Sequence, residues 1–142
     1  MDRKSQIYTF SSYTRVSRET INSLEIFEKM LIEENKKLNL IGKSTEKDIW
    51  KRHFLDSYQV LDLIEENDKI VMDLGSGAGF PGIIVALGIK DKKMPVKVNL
   101  LEKSRKKSSF LKRAIHKLKI NVEVINENAA EEGFKLKENV FM

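Results

Sequence analysis

The sequence predicts an α/β fold: a parallel sheet with helices on both faces, preceded by a block of helices. Two observations predict it. Short apolar runs at 70–74, 96–101 and 121–125 alternate with helical stretches, and such alternation calls for crossover connections rather than hairpins. A glycine-rich segment, Asp73-Leu-Gly75-Ser-Gly77-Ala-Gly79-Phe-Pro-Gly82, stands between the first of those runs and the helix after it. A strand, a glycine turn and a helix in that order form the ligand-binding corner of many parallel sheets.

The elements follow in order. Residues 1–16 are polar with scattered aromatics and read as a loose arm with at most one helical turn. Ser17 is a natural N-cap for a helix over 18–37. Ile21, Leu24, Phe27, Leu31 and Leu38 fall at roughly helical spacing there. Asn39 to Lys43 interrupts the pattern. Ser44 reads as the cap of a second helix, with Glu46 and Asp48 where the helix dipole favours acids. That helix runs through Trp50 and breaks near 52–54, and another helical stretch covers 54–64. Ile70-Val-Met-Asp-Leu is a buried strand. Pro81 opens a helix over 81–89. Val96 to Leu101 is the second strand, Ser104 caps a helix over 105–118, and 121–125 is the third strand. A helical turn is expected at 129–133, and Asn139 to Met142 starts a fourth strand.

Right-handed crossovers place the second and third strands on one side of the first. The fourth strand then opens the other side, and ligands bind where the order reverses, beyond the carboxyl ends of the strands. Only the first half of such a sheet is present, so the chain reads as truncated at its C-terminus. The expected division is 1–66, an arm and helices packed on the core, and 67–142, the first half of the ligand-binding domain.

The 142 residues amount to about one domain. They are 41% hydrophobic and 33% charged, the balance of a soluble globular chain. No apolar run approaches the length of a membrane span, and Met1-Asp-Arg-Lys-Ser-Gln lacks the apolar stretch of a secretory signal. There is no cysteine, which excludes a disulfide framework and thiolate chemistry. A cytoplasmic location fits. The net charge of +5 permits a polyanionic partner such as RNA.

The glycine spacing alone leaves two ligands open. Gly77-x-Gly79-x-x-Gly82 matches the dinucleotide fingerprint, and Glu102 follows at about the distance of a ribose-binding acid. Asp73 tilts the choice. A carboxylate at the strand end repels a pyrophosphate and favours a ligand carrying an ammonium and a sulfonium, as S-adenosylmethionine does. Glu102, at the end of the second strand, can accept both ribose hydroxyls of either ligand.

Arg52-His53-Phe54-Leu55-Asp56-Ser57, Asn35-Lys-Lys-Leu-Asn39-Leu40 and the segment Asp73 to Gly82 together resemble the 16S ribosomal RNA guanine-N7 methyltransferase family, also called the glucose-inhibited division protein B family. The resemblance covers about 18–142. It implies a class I methyltransferase (Rossmann-like) sheet with N-terminal helices, S-adenosylmethionine as methyl donor, and 16S ribosomal RNA or the small ribosomal subunit as partner. Gly75 and Phe80 match the family's donor-binding loop positions. Ala130-Glu131 matches its adenine-reading pair, although Ala129 stands where the family often has arginine. Asp73, Gly77 and Glu102 complete the expected donor site.

His53 and Asp56 lie three apart, so on a helix they share a face. With Arg52 they either line the substrate pocket or hold the N-terminal helices on the core. The 103–119 segment carries Lys103, Arg105, Lys106, Lys107, Lys112, Arg113, Lys117 and Lys119 around an apolar stripe of Phe110, Leu111, Ala114, Ile115 and Leu118. Its basic face is either a phosphate-binding surface or simply solvated. The two histidines, His53 and His116, do not make a metal site by spacing. No metal, no membrane and a monomer are therefore expected. No catalytic side chain is singled out, because guanine N7 carries an in-plane lone pair and no proton. The readings that compete with an RNA methyltransferase are a dinucleotide-dependent oxidoreductase and a non-catalytic remnant.

Overall fold

The structure is a computed structural model that describes residues 1–126 and 140–141. Its sheet is four-stranded, in the order β3-β2-β1-β4. The strands are β1 (Ile70–Leu74), β2 (Lys97–Leu101), β3 (Val122–Ile125) and β4 (Val140–Phe141). Every pairing is parallel. The order is the one right-handed crossovers dictate, with the second and third strands on one side of β1 and the fourth on the other. Leu74 pairs with Leu101 and Leu101 with Ile125. The carboxyl ends of β1, β2 and β3 are therefore level.

The helices are α1 (Arg3–Thr14), α2 (Arg18–Asn35), a short α3 (Asp56–Tyr58), α4 (Gly82–Lys92) and α5 (Arg105–Leu118). Ser17 and Ser104 cap α2 and α5 as expected, accepting from the Thr20 and Lys107 amides. The α5 stripe of Phe110, Leu111, Ala114 and Leu118 is buried. In α4, every residue from Gly82 to Ile89 is buried. A helix buried on all sides there matches a position between the sheet and the N-terminal helices.

Two expectations are corrected. The N-terminal arm is not loose: it forms the full helix α1, capped by Asp2, whose carboxylate accepts from the Ser5 amide at 2.8 Å. Only Gln6 and Phe10 of this helix are buried, but both are well tied. The Gln6 side chain donates to the Lys47 carbonyl at 2.9 Å and accepts from the Lys51 amide at 3.2 Å. Phe10 meets Trp50 and Tyr58 edge-on at 5.5 and 5.7 Å. The second correction concerns 43–63. In place of two α-helical stretches, a 3-10 helix (Lys43–Asp48), a π-helix (Trp50–Leu55), α3 and a second 3-10 helix (Gln59–Leu63) follow one another. Ser44 lies inside the first of these, and Gly42 precedes it.

One hydrophobic cluster runs from Phe10 through Phe27, Trp50, Phe54 and Tyr58 into Val71, Ile83, Leu100, Phe110 and Ile120. The N-terminal helices and the sheet thus share one core. The helical turn expected at 129–133 lies outside the described residues.

Candidate functional site

The glycine segment leaves the end of β1 and enters α4 in two different ways. Gly75, Gly77 and Gly79 have positive φ, at 74°, 56° and 100°, a region that L side chains rarely adopt. A Cβ built on Gly75 meets nothing within 4 Å, and one on Gly77 meets only the Gly75 carbonyl at 4.0 Å. The second half of the loop is packed. A Cβ on Gly79 would lie 2.8 Å from Ile83, and one on Gly82 would overlap Leu100 and approach the Asp73 carboxylate at 2.8 Å.

Asp73 is buried, and its Oδ2 accepts from the Gly82 amide at 3.0 Å. The carboxylate thus sits on the N-terminus of α4. The neighbouring Ser76 hydroxyl donates to the Asp73 carbonyl at 3.1 Å. Burial pushes the Asp73 carboxyl above its usual range, against the pull of the hydrogen bonds, and the nearby charge of Glu102 adds to the rise. Asp73 also lines a cavity of about 410 Å³ with Leu63, Leu74, Pro81 and Val85. Leu63 and Leu74 are exposed there, at 62% and 45%.

Glu102, buried at the end of β2, spends both carboxylate oxygens on main-chain donors. Oε1 accepts from the Gly77 amide at 2.7 Å and Oε2 from the Ser104 amide at 2.9 Å. Its own carbonyl accepts from the Ser108 hydroxyl at 3.0 Å and from the Asn126 side chain at 2.6 Å. One residue therefore ties the glycine loop, the start of α5 and the end of β3 together.

The loop's amides are largely consumed by the chain itself. Gly75 and Ser76 donate to the Leu101 carbonyl at 2.8 and 3.1 Å, Gly79 to Ser76 at 2.8 Å, and Ile83 to Gly79 at 2.8 Å. With Gly77 on Glu102 and Gly82 on Asp73, little is left to cradle an anion. A pyrophosphate site needs free amides and an open helix N-terminus. Here a carboxylate closes that N-terminus. What the loop presents is an open glycine surface at 75–77, flanked by two carboxylates at the carboxyl edge of the sheet.

The hexapeptide at 52–57 reaches this loop from the other side. The His53 ring stacks on Phe80, with centroids 5.0 Å apart and planes 14° from parallel. Its Nε2 pairs with the Thr45 hydroxyl at 2.9 Å. Burial, with the Arg52 charge second, holds the His53 imidazole below its ordinary value, and Asp56 opposes the shift. Phe80 also meets Phe27 and Phe54, each at 6.0 Å. Its ring therefore belongs to the aromatic cluster beneath the N-terminal helices. Arg52 and Asp56 are exposed. The Asn35–Leu40 motif has a structural explanation: the side-chain Oδ1 of buried Asn35 accepts from the Leu40 and Ile41 amides at 2.7 and 3.0 Å, and its Nδ2 donates to the Glu46 carboxylate at 3.1 Å.

The structure thus brings Asp73, Gly75, Gly77, Phe80, Glu102 and His53 into one neighbourhood. Ala130 and Glu131 lie outside the described residues. Sequence reasoning missed Ser76, Thr45 and Asn126. Only Ser76, inside the glycine segment, carried a local signal.

Comparison with known sequences decides the family. The family model for GidB, rRNA small subunit methyltransferase G, matches residues 20–140. The chain belongs to this family. Similar GidB relatives include the ribosomal RNA small subunit methyltransferases G of Pelagibacter ubique and Rhodospirillum rubrum. The first is 44% identical over 126 residues, covering 87% of this chain and 59% of the relative. The second is 44% identical over 103 residues, covering 72% and 48%. The chain thus spans about half to three-fifths of the length of these curated GidB proteins. Among solved structures, a protein-L-isoaspartate O-methyltransferase from Plasmodium falciparum in complex with S-adenosyl-L-homocysteine matches at a TM-score of 0.51 and 17% identity. That match covers 90% of this chain and 64% of the other. A second protein-L-isoaspartate O-methyltransferase matches at 0.54 and 17%, covering 98% and 47%. At that identity, these two show that the GidB chain shares the methyltransferase fold.

Proposed function

We propose that this chain forms the donor-binding part of an S-adenosylmethionine-dependent methyltransferase acting on guanine N7 of small-subunit ribosomal RNA. The observation that carries the donor assignment is the use of the loop's hydrogen-bond donors. The amides of Gly75, Ser76, Gly77, Gly79 and Gly82 all serve the chain itself. Among the described residues, the Ala78 and Phe80 amides are the loop donors left without an acceptor, against two carboxylates, Asp73 and Glu102, that keep lone pairs for a ligand. That arrangement suits a cationic ligand and disfavours a dinucleotide pyrophosphate. The open space beside Gly75 and Gly77 fits the same reading, because a Cβ there would fill the cradle. Family membership supports both the donor and the RNA.

When bound, the donor supplies a methyl group on a positively charged sulfur. Gly75 and Gly77 form the floor beneath it. Each Glu102 oxygen keeps a second lone pair with which to accept a ribose hydroxyl. Asp73 offers negative charge to the donor's cationic end. Phe80 contributes through its main chain, its ring being committed to His53, Phe27 and Phe54. Ala130 and Glu131 match the family's adenine-reading pair. Arg52, His53 and Asp56 border the substrate. Guanine N7 has no proton to lose, so the chain needs no general base. Its task is to hold two reactants in line and keep water out. Residues 1–66 act as the cover and 67–142 as the donor-binding half of the domain. A monomer in the cytoplasm goes with that role.

Titration with S-adenosylhomocysteine and with NAD tests the reading. Binding of the first and not the second is expected. Tighter binding of NAD would restore the oxidoreductase, and binding of neither would leave a remnant.

A further inference from the structure

The face of α5 that points away from the sheet adjoins the end of α2, and together they form two connected concavities. One, of about 680 Å³, is lined by residues including Met30, Arg105, Lys112 and Lys117; the other, of about 410 Å³, includes Lys37, Leu38 and Lys106. Arg105, Ser109 and Arg113 line both. Arg105, Lys106, Lys112, Arg113 and Lys117 are all exposed. Among the described residues, the acid that lines the groove is Glu34, and it is already neutralised: Arg113 donates to its two oxygens at 3.3 and 3.0 Å. That pair locks α2 to α5 and leaves the other cations free of it.

Position gives the groove its meaning. α5 starts just after Glu102, whose carboxylate holds both Gly77 and Ser104. Arg105 and Lys106 therefore stand at the same sheet edge as the glycine loop. Lys112 and Lys117 continue the positive track along the helix, about 18 Å from Arg105 to Lys117 at the rise of an α-helix. A row of cations that begins at a reaction site and leads away from it matches a polyanion backbone entering that site. A surface that was merely solvated would have no reason to keep acids off its exposed face, and from Arg105 to Leu118 α5 has none.

We propose that the α2–α5 groove is the track for the RNA backbone, engaging phosphates on the 5′ or 3′ side of the modified base through Arg105, Lys106, Lys112 and Lys117. The proposal rests on the RNA methyltransferase reading for its choice of polyanion. It adds where the substrate lies and which side chains carry it.

The test compares the full chain with two variants. One carries Arg105→Gln, Lys106→Gln, Lys112→Gln and Lys117→Gln. The other removes the same charge elsewhere, by Lys4→Gln, Lys29→Gln, Lys43→Gln and Lys69→Gln. Binding of a short mixed-sequence single-stranded RNA is measured against salt, alongside S-adenosylhomocysteine affinity. The α5 variant is expected to lose at least about tenfold in RNA affinity at low salt, with its salt slope shallower by about 3. The control variant should lose clearly less, and both should keep wild-type S-adenosylhomocysteine affinity and melting temperature. Equal losses in the two variants, or no RNA binding by the wild type, would overturn the track. So would equally tight, α5-dependent binding of polyglutamate, which would point to an acidic protein instead. Failure of the wild type to bind S-adenosylhomocysteine while the α5 effect persists would sink the donor reading and leave the track standing.

Discussion

The two halves of the glycine loop do different work. Gly79, whose φ is also positive, and Gly82 sit where the protein is in the way: Ile83, Leu111, Leu100 and Asp73 occupy the space a side chain would need. Gly75 and Gly77 are glycines for the sake of their positive φ, and the space beside them is open. A spacing motif that looks uniform thus splits into a packing half and a ligand half. Glycine patterns of this kind identify a corner of the sheet, while the chemistry resides in what the open half faces.

Substitutions can break that contrast, beginning with the packed half. Gly82→Ala forces a methyl group into Leu100 and against the Asp73 carboxylate. Overpacking of this kind costs about 1–3 kcal/mol, which urea unfolding should show as a lower midpoint. Gly75→Ala meets no obstacle, and the left-handed backbone should cost about 1–2 kcal/mol. Its larger effect should be on binding: at least about tenfold weaker S-adenosylhomocysteine, a loss of about 1.4 kcal/mol or more, with far-UV circular dichroism unchanged. Loss of structure without a specific loss of binding would merge the two halves again.

Asp73→Asn sharpens the contrast from the side of charge. Burial raises the folded pKa of Asp73 above its unfolded value of 3.8. The ionised carboxylate therefore costs stability above the folded pKa, and that cost fades as pH falls toward 3.8. The variant should match or exceed the wild-type melting temperature at neutral pH, with the gap closing in acid, while S-adenosylhomocysteine binding weakens. A large neutral-pH destabilisation would show that Asp73 serves only to cap α4. The smallest effect is expected at His53, whose folded pKa lies below the ordinary 6.5. The fold should keep its full stability above that value and lose some of it as pH falls through the folded pKa. In His53→Asn, the slope of melting temperature against pH in that window should flatten.

Legibility in the sequence followed the range of the interactions. α5 could be read to the residue, because Ser104 marks its start and Phe110, Leu111, Ala114 and Leu118 repeat at helical spacing. The strands and their order were readable from apolar runs and the handedness of crossovers. α1 was not, since it buries only Gln6 and Phe10 and shows no stripe. The 43–63 segment was blurred because its helix type changes from 3-10 to π to α and back, so no single period fits it. In the site, Asp73, Glu102 and the glycines were legible as residue types at strand ends. Their hydrogen-bond partners were not. That Glu102 holds Gly77, or that His53 stacks on Phe80, depends on segments distant in the chain meeting around a common core.

The central claim, that the open half of the loop is the donor floor, is tested most directly by amide NMR during titration with S-adenosylhomocysteine. The account predicts the largest shifts at Gly75 and Gly77, with Gly88, packed under Leu61 and Tyr58 in α4, barely moving. Saturable binding that leaves Gly75 and Gly77 unshifted would contradict it.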